Sequence, residues 1–306
     1  MYTVRFNEVY GAKKRVIKED SPELLFMKAI CNGNAVAGEF FNEMTVYKKR
    51  VFLDAPNGRF EGVHEIQNFA DKWLKDFKAV SAEVIPVVQT RANGRSALEM
   101  EVWFKLESGE TKKVPMVVVG DLVGQHRLEG MRIYFFYLFM DGATGYRKPI
   151  FRPRVNSYCE PALLTGAIRG YYEQLNNFNT ESAVNNIVDI ASDDVKYGGY
   201  RPEEVEPLYE GKENLRKVYE GICADWPRDG YIRFETITDD STTCVAEWTV
   251  VVRKEGMARG VVCFCGCAAY ERAEDGKLWS VRICDNNGCE LGIDPASIPA
   301  DLWFIE

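Results

Sequence analysis

The sequence predicts an α+β protein of two tandem domains, each opening with helices and closing with antiparallel strands. Three observations carry this. Landmarks recur in the same order about 145 residues apart: Glu61-Gly62 and Glu210-Gly211, Trp103 and Trp248, Gly109 and Gly256, Glu129-Gly130 and Asp275-Gly276, Asp141 and Asp285. Each stretch begins with apolar residues at helical spacing and ends in β-rich runs. Acidic-Gly pairs divide those runs, as hairpin turns do. The 306 residues therefore split near 150–160 into a first copy, 1–150, with an N-terminal extension, and a second, 151–306, with a C-terminal tail. Each is long enough to bury its own core.

In the second copy, Leu164, Ile168, Tyr171, Tyr172 and Leu175 share a helix face. Asn176-Asn177 and Asn179-Thr180 end that helix and cap another, whose apolar face runs through Val184, Ile187, Val188 and Ala191. A proline-containing segment, 198–207, precedes a third helix from Gly211 that turns Leu215, Val218, Tyr219 and Ile222 inward. Strands are expected at 231–238, 242–254, 258–271 and 277–285. In the first copy Ser21-Pro22-Glu23 starts a helix and Asn32-Gly33-Asn34 breaks it. Val63, Ile66, Phe69, Ala70 and Trp73 mark the third helix, and strands follow at 80–91, 95–106, 113–127 and 131–140.

A net charge of −8 argues against a nucleic-acid partner, which needs clustered Lys and Arg. The basic cluster Arg147-Lys148 with Arg152 and Arg154 reads as a solvated tether between the copies. No apolar run reaches spanning length, and the first fifteen residues lack a signal-peptide core, so a cytoplasmic protein without a membrane partner is expected. Nine unevenly spread cysteines suit reduced thiols. Strand alternation puts Cys263, Cys265 and Cys267 on one face at spacings of roughly 7 Å, too far apart for tetrahedral zinc. Burial without metal is the expectation there, and no motif calls for a cofactor.

Three helices, a short strand before the third, and a long meander resemble the SnoaL-like branch of the nuclear transport factor 2-like superfamily. The local match lies in Ala191-Ser192-Asp193-Asp194-Val195-Lys196-Tyr197 with Tyr209-Glu210-Gly211-Lys212-Glu213-Asn214-Leu215, and in 51–54 with Phe60-Glu61-Gly62. The resemblance implies two cone-shaped α+β barrels, each with three helices packed on a curved antiparallel sheet, and an open end that admits a small, mostly apolar oxygenated molecule. It also implies pairing of the domains, or of two chains, through the sheets. Relatives include isomerases, dehydratases, cyclases and noncatalytic subunits, so the fold leaves the function open.

By that resemblance Asp54, ahead of Ala55-Pro56-Asn57-Gly58, stands where ketosteroid isomerases keep a general base, and His126 on the third strand would help it. The plainer reading, which the residue types favour, has Asp54 holding the turn backbone and His126 packing against aromatic neighbours. His64 is expected on a helix surface. The isomerases' second acid is replaced by Gly124 in one copy and Ala268 in the other. Tyr47 and Trp103 in the first copy, and Tyr171, Tyr197, Trp248 and Tyr270 in the second, are the expected substrate-binding residues; Tyr171 matches the isomerases' catalytic tyrosine. Two readings stand. One is a pocket protein with cofactor-independent lyase or isomerase chemistry in the first domain, and the other a noncatalytic binding or scaffolding protein.

Overall fold

The computed structural model describes residues 12, 16–33, 51–124, 127–140, 163–178, 180, 182–199, 208–226, 230–252 and 261–284. In the first half these form α1 (Pro22–Asn32), β1 (Phe52–Ala55), β2 (Gly58–Glu61), α2 (Gly62–Asp76), β3 (Ala79–Ala92), β4 (Arg95–Leu106), β5 (Thr111–Val123) and β6 (Arg127–Tyr134). In the second they form α3 (Gly166–Leu175), α4 (Ser182–Asp189), β7 (Ala191–Gly199), β8 (Tyr209–Glu210), α5 (Lys212–Asp225), β9 (Gly230–Asp239), β10 (Thr243–Val252), β11 (Val261–Arg272) and β12 (Leu278–Cys284).

The strand orders are β2-β1-β6-β5-β4-β3 and β8-β7-β12-β11-β10-β9, the same permutation twice. The repeat is thus real at the level of topology. The expected all-antiparallel sheet is corrected, however: β1 runs parallel to β6, and β7 parallel to β12. A sheet can curl back on its own last strand in this way only if the chain crosses over, and α2 with the three long strands after it supplies the crossover.

Local chemistry explains the helix that each sheet encloses. Ile66, Phe69, Ala70 and Trp73 recur at helical spacing and are buried in α2. The Glu65 carboxylate accepts the Glu61 N–H at 2.6 Å, so a first-turn acid satisfies a donor at the helix start. In α5 the same face carries Leu215 and Tyr219.

Two landmark pairs are corrected: by strand register Trp248 answers to Met100 and not to Trp103, and the other is not a pair of turns. Glu129-Gly130, aligned above with the turn Asp275-Gly276, lies inside β6; the turn before β6 is at Gly124, whose φ is 69°. Gly130 pairs with Phe52 across β1, and a Cβ there would come within 2.2 Å of the Phe52 ring. The glycine is a packing requirement, not a turn signal. The last strand of the first half also stops at Tyr134, and a 3-10 turn at Tyr137–Phe139 takes the chain off the sheet.

The outer faces of the two sheets meet through buried ion pairs that obey an approximate two-fold. Arg132 on β6 donates from Nε and Nη2 to Glu247 on β10 at 2.7 Å each, and also bonds Asp121 on its neighbouring strand. Arg282 on β12 donates to Glu99 on β4 at 2.8 and 2.9 Å, and to Glu271 on its neighbouring strand at 2.8 Å. Both guanidiniums are fully buried. Cys267 and Cys284 are buried in the same hydrophobic cluster as the first-half core, and the Cys284 thiol donates to the Tyr134 carbonyl at 3.2 Å. Cys265 is buried as well, whereas the Cys263 side chain lies outside the described residues. Among the described residues no helix is long and apolar enough to cross a membrane.

Candidate functional site

The two cones differ in what fills them. In the first, Trp73 and Phe77 from the end of α2 meet Phe104 and Phe135. Phe77 stacks on Phe104 at 4.0 Å, and Trp73 lies 4.9 Å from Phe77 and 6.1 Å from Phe135, ring centre to ring centre. Aligning the helices on Glu61-Gly62 and Glu210-Gly211 places Ile222 where Trp73 stands. A cavity of about 240 Å³ opens in the second cone, lined by Tyr171, Tyr197, Tyr219, Ile222, Trp248 and Tyr270, and by Phe178 and Trp226.

Four tyrosines converge there because four elements each turn one residue inward. Tyr171 is on the buried face of α3, Tyr197 on β7, Tyr219 on α5 and Tyr270 on β11. The Tyr171 and Tyr219 hydroxyls are hydrogen-bonded, and Tyr270 is within hydrogen-bonding reach of Tyr171. Their rings pack edge-on or tilted, at 6.0 Å for Tyr171 with Tyr219, 5.0 Å for Tyr171 with Tyr270 and 5.6 Å for Tyr197 with Tyr219. Burial pushes the Tyr171, Tyr219 and Tyr270 phenols well above their ordinary range, so they stay protonated at neutral pH. Among the described residues the lining contains no carboxylate, imidazole, amine or guanidinium. These residues can donate and accept hydrogen bonds, but none of them is suited to taking a proton from carbon.

The residues expected from the sequence are placed as follows. Tyr171, Tyr197, Trp248 and Tyr270 all line the cavity. Tyr47 and His126 lie outside the described residues. Asp54 is on β1 and 1 % exposed, but it pairs with Arg132 in the parallel register and therefore shares that residue's outer face. Both its oxygens are taken by Arg59, at 2.6 and 2.7 Å. The arrangement makes Asp54 an ion-pair partner on the far side of the sheet from the lumen. Trp103 is likewise on the outer face: its indole donates to Glu101 at 2.8 Å, and the Lys113 ammonium sits 4.0 Å from the ring centre. By strand register the counterpart of Trp248 is Met100, and the counterpart of Ala268 is Val118, so Gly124 is not the position facing Ala268. His64 is exposed. Among the described residues no group of three or more His, Cys, Asp or Glu side chains could hold a metal ion.

Reading the sequence missed Tyr219 and Ile222 as site residues. Both were recognised as inward-facing on their helix, but inward spacing does not distinguish a filled core from an open one. The signal lies in the comparison of the copies, where Trp73 gives way to Ile222.

Element order, strand permutation and the enclosed helix decide the fold. Each half has the nuclear transport factor 2-like fold. No protein-family model and no curated protein matches the sequence. Solved structures do. An NTF2-like protein of unknown function from Exiguobacterium sp. 255-15 is 13% identical, covering 39% of this chain and 98% of its own, with a TM-score of 0.31. An LEH-like epoxide hydrolase from M. tuberculosis is 15% identical over 38% of this chain and 77% of its own, with a TM-score of 0.29. A protein with a ketosteroid isomerase-like fold from Catenulispora acidiphila DSM 44928, solved in complex with trimethylamine, is 8% identical over 38% and 82%, with a TM-score of 0.29. At these scores the likenesses carry no argument about function.

Proposed function

We propose that the chain is a noncatalytic binding protein for a small, neutral, ring-bearing molecule with a carbonyl or hydroxyl oxygen, held in the second cone, and that the first cone is its structural partner. The observation that carries this is the tyrosine-lined cavity, which has hydrogen-bonding hydroxyls and, among the described residues, no charged side chain. An apolar ring gains from burial against Trp248, Ile222 and the tyrosine faces, and its oxygen meets hydroxyls that remain protonated. A carboxylate or ammonium would lose its hydration and gain no counter-charge. Size points the same way. At about 240 Å³ the cavity exceeds the roughly 150 Å³ that holds benzene and falls short of the roughly 300 Å³ at which drug-sized pockets begin. A molecule of one or two rings fits.

The alternative of acid–base chemistry in the first domain loses support because Asp54 faces away from the lumen and is neutralised by Arg59. Calorimetric titration with acetophenone and with benzoate, matched in size and differing in charge, tests the reading. Acetophenone should bind and benzoate should not, and Tyr171→Phe should weaken acetophenone by a factor of roughly 3–10, the worth of one neutral hydrogen bond. Equal binding of both, or conversion of the ketone by the wild-type protein, would count against it.

A further inference from the structure

A second concavity, a groove of about 450 Å³, lies between α4 and α5 and adjoins the cavity. Phe178 belongs to both linings, and its ring, only 6 % exposed, stands between them. It packs against Trp226 at 5.1 Å and Tyr219 at 6.1 Å, both residues of the cavity wall. The helix α5 presents different chemistry to the two spaces. Tyr219 and Ile222 face the cavity, whereas Arg216, Glu220 and Cys223 face the groove, where Asn185 and Thr180 join them. Arg216 donates from Nη1 to the Asn185 side-chain oxygen at 2.5 Å, which positions its guanidinium across the groove. The cavity is uncharged and aromatic. The groove offers a carboxylate acceptor, guanidinium and amide donors, and a hydroxyl that does both.

We infer that the groove is a second subsite for a hydroxyl-rich, uncharged tail attached to the ring that the cavity holds, as in an aryl glycoside. The inference rests on the binding function proposed above. A hydroxyl both donates and accepts, so a run of them satisfies Glu220 and Arg216 together. A tail of one charge would be drawn to one of these groups and repelled by the other. Displacement of the Phe178 ring joins the two spaces, and a ligand filling both leaves the ring's carbonyl with the tyrosines and the tail with Arg216, Glu220 and Asn185.

The experiment uses the full chain with 4-hydroxyacetophenone and 4-acetylphenyl β-D-glucoside, which share a ring and ketone and differ in the sugar. Binding is followed by calorimetry, and Cys223, half-buried on the groove wall, is followed by the rate of its alkylation with iodoacetamide, read by peptide mass spectrometry. Both compounds should bind, and only the glucoside should slow alkylation of Cys223. Glu220→Gln and Arg216→Gln should each weaken the glucoside about tenfold, roughly 1.4 kcal/mol, and leave the phenol within about twofold. Both substitutions are on the surface, and unchanged phenol binding certifies their fold. If the phenol binds and the glucoside does not, or the glucoside binds without protecting Cys223 or responding to either variant, the groove is not a subsite. If neither compound binds, the cavity reading falls and this inference falls with it.

Discussion

Glu235 shows what strand geometry can do to a single residue. Glu247 pairs with Thr236 and Trp248 with Phe234, so Glu235 is the extra residue of a bulge in β9. It is 1 % exposed, its Oε2 accepts from Arg233 at 3.2 Å, and the Thr249 hydroxyl is within hydrogen-bonding reach of its carboxyl. Burial pushes its carboxyl up to about 8, with Arg233 opposing and the charge of Glu247 reinforcing the shift. Between the ordinary carboxylate value of 4.5 and about 8, the folded chain holds a proton that the unfolded chain has released. Stability from this group is therefore present below that window and is lost as pH rises through it. The melting temperature should fall by several degrees between pH 5 and pH 9, and Glu235→Gln should flatten that slope; an unchanged slope in the variant would refute the assignment. Nothing in the sequence marks Glu235, because a bulge is a property of two strands together. Asp54 gives the complementary lesson. Its neighbours in sequence resemble a catalytic turn, yet the parallel register with Arg132 puts it on the outer face of the sheet, where Arg59 takes both its oxygens.

The helices and long strands were legible because their periodicities are local. Helix α2 lies where Ile66, Phe69 and Trp73 put it, and β4 spans the 95–106 expected from the alternation and turn signals. The parallel closing pairs were not legible, since β1 and β7 are short and their partners lie far along the chain. Gly130 misled for a related reason: a glycine after an acid reads as a turn unless one knows that Phe52 covers it. Gly130→Ala should destabilise the fold by about 1–3 kcal/mol, measured by denaturant unfolding, and Phe52→Leu in the same chain should recover part of the loss. Should Gly130→Ala be neutral alone, the ring does not sit where the structure has it.

Across the whole molecule, the repeat visible in the sequence becomes a two-fold arrangement of buried charge. Arg132 with Asp121 and Glu247 answers Arg282 with Glu271 and Glu99. Burial alone would drive these groups toward neutrality. Their mutual attraction instead raises Arg132 well above the ordinary guanidinium range and lowers Glu247 below the ordinary carboxylate value. Arg282→Met should cost about 3–5 kcal/mol because it strands two buried acids, and adding Glu99→Met with Glu271→Leu should return most of that loss. Chemical denaturation of the single and triple variants separates the two effects, and a triple variant no more stable than the single would contradict the pairing.

The two cones share a topology and differ in lining, and Ile222 stands in the place of Trp73. The most direct measurement is therefore acetophenone binding to Ile222→Trp, with thermal denaturation run alongside. The account predicts that the indole fills the second cavity as Trp73 fills the first, abolishing binding while the melting temperature holds or rises. Binding as tight as in the wild-type protein would show that the site is elsewhere.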